Sequence, residues 1–219
     1  MTKRTRIGTS GSSHPRPTRS CSTGPVDDEA AKALLRATLD SGRDAVLSKL
    51  EGLDDYDVRR PLTPTATNLL GLVKHLATWE SRYLGHVLGR PCAEPVPPWE
   101  DRSARGTDSW VAEHETRDDV LTLFARVREH ADATIAALPL DAPGEVPWWR
   151  PRETTLFDVL VHLVAETSRH AGHADILRET LDGVIGTDAA RSVRVADDAD
   201  SWAERWATVE RTARAARGA

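Results

Sequence analysis

Four long segments of the sequence place apolar residues at steps of three and four positions, the spacing of one helix face. No segment shows the sustained apolar–polar alternation of a surface strand. The predicted helices run over about residues 27–52, 67–89, 116–135 and 154–181. Proline-containing stretches separate the second helix from the third and the third from the fourth. This pattern predicts an all-α protein, a four-helix bundle with two long connections.

The chain divides into three parts of different composition. Residues 1–26 are rich in Ser, Thr, Gly, Pro and Arg, and we predict a disordered basic arm because they offer almost nothing to bury. Residues 27–183 hold the predicted bundle. Residues 184–219 form a mostly polar tail, which ends in a short amphipathic segment that carries two tryptophans.

Charge and cysteine content exclude several classes of protein. Residues 1–26 carry five basic side chains and no acidic one, whereas the remainder carries 24 basic and 34 acidic side chains, a net charge of −10. Such an acidic body does not favour nucleic-acid binding, and we expect the arm to be a solvated leader. Two cysteines match no disulfide framework or zinc-ribbon spacing. No apolar run resembles a membrane span or a signal peptide, so we expect a cytoplasmic protein with no membrane partner.

Polar side chains interrupt the apolar face of two predicted helices. On the fourth helix, the positions that share one face carry Val159, Leu163, Glu166, His170, His173 and Leu177. On the second helix, His75 lies between Leu72 and Trp79 in a similar row. A carboxylate on a core-facing row is costly unless it is paired, hydrogen-bonded or bound to a metal. The interruption therefore marks the candidate site.

The spacing of these polar residues suits a divalent metal ion. Glu166 and His170 are four residues apart, so their side chains project from adjacent turns and can chelate one ion. His75, from a facing helix, can supply a third ligand. Two imidazoles and one carboxylate leave positions open for water or substrate, as in catalytic zinc sites, and the same donors suit nickel or iron. Spacing alone leaves three alternatives open: His162 with Glu166, His170 with His173, or a simple hydrogen bond between Glu166 and His170.

Two stretches carry a family resemblance. The run ETSRHAGHADILRE (166–179), together with NLLGLVKHLATWE (68–80), resembles the DinB-like, YfiT-type superfamily, in particular its actinobacterial branch. The resemblance covers about residues 28–183 and implies a four-helix bundle whose second and fourth helices hold a divalent metal. The corresponding ligands in this sequence are His75, Glu166 and His170. This His, Glu, His set is similar to that of the N-terminal domain of mycothiol-dependent maleylpyruvate isomerase.

The resemblance also implies a chemistry. Characterised relatives use low-molecular-weight thiols, and the excess of Arg over Lys, 25 to 4, favours a high-GC source and hence mycothiol. A bound divalent cation lowers the pKa of a coordinated thiol. We therefore expect a metal-dependent enzyme, with zinc as the first candidate metal, that activates mycothiol for S-transfer to a small electrophile. The alternative is a non-catalytic, stress-associated metal-binding bundle that acts through protein contacts, and the sequence leaves open whether it works as a homodimer.

Residues near the ligand pair are candidate catalytic groups. His173 is predicted to hydrogen-bond a ligand or to act as a general base, and Arg169 to bind an anionic group of the substrate. A core histidine and a surface charge are the equally weighted alternatives for these two residues. Trp148 and Trp149, just before the fourth helix, either wall the mouth of the site or cover one end of the core.

Overall fold

The computed structural model describes residues 27–187 and 189–217, and four long helices dominate it. In chain order, the helices are α1 (Asp28–Ser48), α2 (Asp55–Arg59), α3 (Leu69–Tyr83), α4 (Arg117–Ala137), α5 (Leu156–Asp182) and α6 (Ala199–Arg217). α1 packs mainly against α5, and α3 packs mainly against α4. This arrangement confirms the predicted all-α four-helix bundle, formed by α1, α3, α4 and α5. The predicted disordered arm, residues 1–26, lies outside the described residues.

Two short antiparallel ribbons lie in the connections. β1 (Pro143–Glu145) pairs with β2 (Glu153–Thr155) just before α5, and β3 (Val184–Ile185) pairs with β4 (Val193–Arg194) just after it. Each strand has only two or three residues, too few for a visible alternation of apolar and polar side chains. Short 3-10 segments complete the connections: His86–Leu88, Arg102–Ala104, Thr107–Ser109, Ala189–Arg191 and Val195–Asp198.

Side chains at the helix ends explain where the helices begin. Asp27 caps α1 by accepting a hydrogen bond from the backbone N–H of Glu29. Thr116 and Asp119 form a capping box at the start of α4. A second capping box, in which Asp158 lies three residues after the N-cap Thr155, starts α5. These local signals position the starts of all three helices independently of their packing partners.

The second bundle helix is shorter than the spacing of its apolar residues predicts. α3 ends at Tyr83, and the chain turns before the 3-10 segment His86–Leu88, whereas the apolar pattern indicates a helix to about residue 89. Only glycine fits at position 85 in this turn, because a Cβ atom there would collide with the carbonyl oxygen of Ser81. The apolar residues that follow still reach the core, with Val87 and Leu88 buried.

A polar layer divides the core of the bundle into two apolar clusters. Each of the four helices contributes to both clusters. On α1, Leu39 belongs to one and Val46 to the other, and the fully buried Arg43 lies between them. On α3, the buried Glu80 lies between Ala77 and Tyr83 of the two clusters. The interruption seen in the sequence of the fourth helix is therefore part of a layer that crosses the bundle.

The tail ends in a helix where its sequence carries the amphipathic segment, near residues 200–216. α6 extends over 19 residues, and none of its described residues is buried. Among the helices of the described ranges, none combines the length and the apolar character that crossing a membrane requires. The division into bundle and tail at residue 183 stays a prediction.

Candidate metal centre

Two histidines that are far apart in sequence meet between α3 and α5. The ring centroids of His75 and His170 are 4.8 Å apart, and the rings meet edge to face. On α5, the His170 Nε2 lies 3.7 Å from the Glu166 Oε2. The structure therefore places the three predicted ligands next to one another. With Asp108, these residues form what we call the histidine cluster: His75, Asp108, Glu166 and His170.

Asp108, which sequence reasoning missed, holds His75 in place. It lies in the 3-10 segment between α3 and α4, and its Oδ2 is 2.6 Å from the His75 Nδ1. The indole N–H of Trp79 donates to the same oxygen at 2.9 Å. Although burial alone would raise it, these two hydrogen bonds and the nearby imidazole lower the pKa of Asp108. With the carboxylate accepting at Nδ1, Nε2 is the His75 nitrogen that could hold a metal ion.

His170 is held in the neutral form that metal ligation requires. Burial, followed by repulsion from His75 and His173, lowers the pKa of His170 to about 4. Its Nδ1 atom is buried and has no hydrogen-bond partner among the residues that the structure describes. A buried imidazole nitrogen without a partner is rare in folded proteins and indicates a missing ligand or water.

Glu166 is oriented from the solvent side. One of its oxygens, Oε1, accepts a hydrogen bond of 2.7 Å from Arg169, whose side chain is 60% exposed. Its other oxygen, Oε2, faces His170. Within residues 27–187 and 189–217, no three His, Cys, Asp or Glu side chains are already arranged to hold a metal ion. The donors nevertheless fit a divalent cation chemically, because a carboxylate and two imidazoles, one with an orphaned buried nitrogen, share one site.

The other predicted residues lie at the edges of the site. His173 is exposed, so its expected place on the buried face of the fourth helix is wrong, although its ring centroid lies 5.4 Å from that of His170. Burial of a helix position depends on which elements cover it, and residue spacing does not encode that. His162 lies a full two turns before His170 and packs against Tyr83 and Trp149, with ring centroids 4.8 and 4.9 Å away. His162 therefore belongs to the aromatic side of the site.

A cleft opens beside the histidine cluster. It has a volume of about 300 Å³ and is lined on one side by His75, Glu166 and His170. Its other side is an aromatic wall that consists of Trp79, Tyr83, Trp148 and Trp149. Trp148 packs edge to face on Trp79, with the ring centroids 5.4 Å apart. Its indole N–H donates to the Tyr83 hydroxyl at 3.1 Å. Trp148 and Trp149 both line the cleft, and both pack against the core.

Asp108 and two residues of the wall, Trp148 and Trp149, come from parts of the chain that carry no periodic signal. Asp108 lies 33 residues after His75, in a connection whose sequence does not indicate which helix it will cover. Tyr83 was visible only as one more apolar position of its helix. Such contacts arise when loops fold back on the bundle, which spacing within a helix does not reveal.

Comparisons with known proteins agree with this architecture. A model of the mycothiol-S-transferase family matches residues 34–183. No curated protein matches the chain. A conserved protein from Enterococcus faecalis superposes with a TM-score of 0.52 at 15% identity, over 68% of this chain and 96% of that one. YfiT from Bacillus subtilis superposes with a TM-score of 0.51 at 18% identity, over 76% of this chain and 92% of YfiT. That protein is described as a probable metal-dependent hydrolase with an unusual four-helix bundle topology. These structural likenesses show the fold alone.

Proposed function

This chain belongs to the mycothiol-S-transferase family, within the DinB-like superfamily, and we propose on that basis that it activates the thiol of mycothiol for transfer to a small electrophile. The observation that carries the proposal is the pairing of His75 and His170, whose rings lie 4.8 Å apart at the edge of a cleft. Glu166 completes a set of donors that suits a divalent cation. The cleft beside them has the size of a small-molecule site.

We assign the metal ligands to His75, Glu166 and His170. When bound, a divalent cation lowers the pKa of a coordinated thiol, so that the thiolate is available at neutral pH. Zinc fits this donor set, and nickel or iron fit it as well. Asp108 keeps the His75 Nδ1 protonated and its ring oriented, which leaves Nε2 for the metal.

Other residues act on the ligands or on the substrate. Arg169 and His173 do not line the cleft, so we propose that Arg169 orients Glu166 and that His173 affects the neighbouring His170 ring. The earlier expectations, general base for His173 and anion binding for Arg169, stay predictions. The aromatic wall supplies an apolar surface that excludes water from one side of the cleft and accommodates a small electrophile.

Metal content and thiol transfer test the proposal directly. Purified wild type, loaded with Zn²⁺, Ni²⁺ or Fe²⁺ and desalted, should retain one of these metals, measured by inductively coupled plasma mass spectrometry. We expect His75→Ala and His170→Ala to lose metal affinity and activity by more than about 100-fold, since each removes a direct ligand. His114→Ala, an exposed histidine outside the cluster, is the matched control and should behave as wild type.

Activity is measured with mycothiol and monochlorobimane, whose conjugate is fluorescent. The thiolate sulfur forms a bond to the bimane methylene carbon, the carbon–chlorine bond breaks, chloride leaves, and the thiol proton passes to the buffer. If wild type and His75→Ala hold equally little metal, the proposed site is wrong. If the wild type holds metal but transfers no mycothiol, the non-catalytic alternative is favoured, in which the bundle acts through protein contacts.

A further inference from the structure

A second concave surface adjoins the cleft on the far side of Trp79 and Trp148. It consists of two overlapping hollows of about 450 and 490 Å³, which share Arg82, Trp99, Glu100 and Trp148. We call this surface the outer groove and define it by Arg82, Trp99, Glu100, Asp101, Arg102 and Arg105. Trp79 and Trp148 line both the first hollow and the cleft of the histidine cluster. A ligand that lies across these two tryptophans therefore reaches both surfaces.

The outer groove has an exposed aromatic platform. Trp99 is 42% exposed, and its ring centroid lies 5.4 Å from that of Trp148 at an angle of 53°. Large aromatic side chains in monomers are usually more covered than this, because burial of their surface is a major source of stability. The two tilted rings present apolar faces to the groove beside a rim of polar groups.

Positively and negatively charged side chains, which donate and accept hydrogen bonds, surround the two tryptophans of the groove. The Arg82 guanidinium stacks on Trp79, with its central carbon 4.6 Å from the ring centroid. Its Nη2 donates to the Pro97 carbonyl at 2.9 Å. Its Nε is buried and has no partner within the described ranges, and the residue lines both hollows of the groove. Arg102 and Arg105 add exposed donors.

Carboxylates in the same groove narrow the class of ligand. Glu100 and Asp101 line the first hollow, and Glu145 lines the second beside Glu100. A site for a phosphate or another polyanion gathers cations and excludes carboxylates, because like charges repel at short range. A neutral polyhydroxyl compound needs acceptors as well as donors, and it offers an apolar C–H face for stacking on an indole ring.

From these features we propose that the outer groove binds the carbohydrate part of the thiol substrate, which is a glucosamine–inositol glycoside in mycothiol. The sugar rings stack on Trp99 and Trp148, and their hydroxyls bond to Arg82 and Glu100. The cysteinyl arm then extends past Trp79 towards the histidine cluster. This inference rests on the proposed function, since it assigns the binding subsite of the same thiol.

Binding of a thiol-free glycoside tests the groove without any catalysis. The probe is N-acetylglucosaminyl-inositol, in which an acetyl group replaces the cysteinyl part, and binding is measured by titration calorimetry on the full chain. We expect Trp99→Ala to weaken binding about tenfold, as for loss of one stacking face. Trp206→Ala is the matched control, because Trp206 is 68% exposed on α6 outside the groove, and it should bind as wild type. Equal affinities of Trp99→Ala and wild type, or no binding to either, would overturn the inference.

Transfer kinetics separate the groove from the site of chemistry. We expect Trp99→Ala to raise the KM for mycothiol about tenfold, whereas the control Trp206→Ala should leave this KM unchanged. If mycothiol is transferred but the glycoside does not bind, the groove assignment fails and the proposed function stands. If the glycoside binds with the expected sensitivity to Trp99 but no thiol is transferred, the groove stands as a carbohydrate site and the proposed function fails.

Discussion

Two polar clusters lie close together inside the bundle, and they differ in how completely their groups are partnered. The first, which we call the ion-pair cluster, consists of Arg43, Glu80, Asp40, Asp132 and Arg128. The fully buried Arg43 donates to Glu80 through two nitrogens and to Asp40 and Asp132 at 2.7 and 2.9 Å. In the histidine cluster, by contrast, the His170 Nδ1 has no partner among the described residues, and an open cleft lies beside it.

The difference indicates the role of each cluster. In the ion-pair cluster, burial alone would lower the pKa of Arg43, but the carboxylates around it raise that pKa, so the guanidinium stays charged. A network with every charge paired holds helices in register and leaves nothing for a ligand. In the histidine cluster, burial and the neighbouring imidazoles instead lower the pKa of His170, so this ring stays neutral and available. We therefore assign a structural role to the first cluster and a functional role to the second.

The largest expected effect comes from breaking the ion-pair cluster. Arg43→Ala leaves the buried Glu80 without its cation, and we expect a loss of about 3–5 kcal/mol in the free energy of unfolding. The measurement is urea denaturation followed by circular dichroism. The double variant Arg43→Met with Glu80→Leu removes both buried charges and should lose far less, because Asp132 and Asp40 keep Arg36 and Arg128 as partners. Equal losses in the single and double variants would contradict this interpretation.

Acid should weaken the fold through the histidine cluster. The pKa of His170 is 6.5 in the unfolded chain and about 4 in the folded protein. As the pH falls from 6.5 towards 4, the unfolded chain takes up a proton at His170 that the folded protein does not, so the free energy of unfolding decreases. The loss is at most about 3 kcal/mol. Denaturation of chelator-treated protein at several pH values between 7 and 4 measures it. His170→Gln should lose less stability over this interval than wild type, and a parallel decline would show that other groups are responsible.

Asp108 is expected to affect the metal rather than the fold. Asp108→Asn keeps the size of the side chain but removes the charge that orients His75, so we expect metal affinity to fall 10–100-fold, with no direct ligand lost. Competition with a fluorescent chelator gives the dissociation constant. Asp101→Asn, an exposed carboxylate of the outer groove, is the control and should not change it. Unchanged affinity in Asp108→Asn would mean that the 2.6 Å hydrogen bond has no role in ligation.

The smallest effect belongs to the exposed end of the histidine cluster. The Arg169 side chain is 60% exposed, and its ion pair with Glu166 is on the surface of α5. We expect Arg169→Ala to change the free energy of unfolding by less than about 1 kcal/mol. A loss of several kcal/mol would show that Arg169 belongs with the buried, structural charges. Metal affinity measured on the same variant reports whether Glu166 depends on Arg169 for its orientation.

The fold was largely predictable because its signals are local. The capping box of Thr116 and Asp119 lies within four residues, and it starts α4 as predicted. The apolar rows of the four helices follow the helical period, so they are visible without knowledge of the partner helix. The main error, at the end of α3, arose because the residues after Gly85 stay apolar while the backbone turns.

The candidate site was predictable only in part. Glu166 and His170 are four residues apart on one helix, so their proximity follows from helix geometry. The place of His75 beside them depended on the family resemblance and on the general behaviour of helical bundles. Asp108 and Trp99 lie in connections, where side chains have no fixed period and the covering helix is set by the rest of the fold.

The sequence by itself determined the helices and the proximity of Glu166 and His170 on one helix, because both depend on residues close along the chain. It also determined the acidic character of the bundle, which follows from composition alone. The tertiary structure decided which buried charges are paired and which are left open. Arg43 finds Glu80 on a neighbouring helix, whereas the His170 Nδ1 finds no partner within the described residues. Whether a buried polar group finds a hydrogen-bond partner depends on which helices and loops lie beside it, and that is decided only when the whole bundle packs.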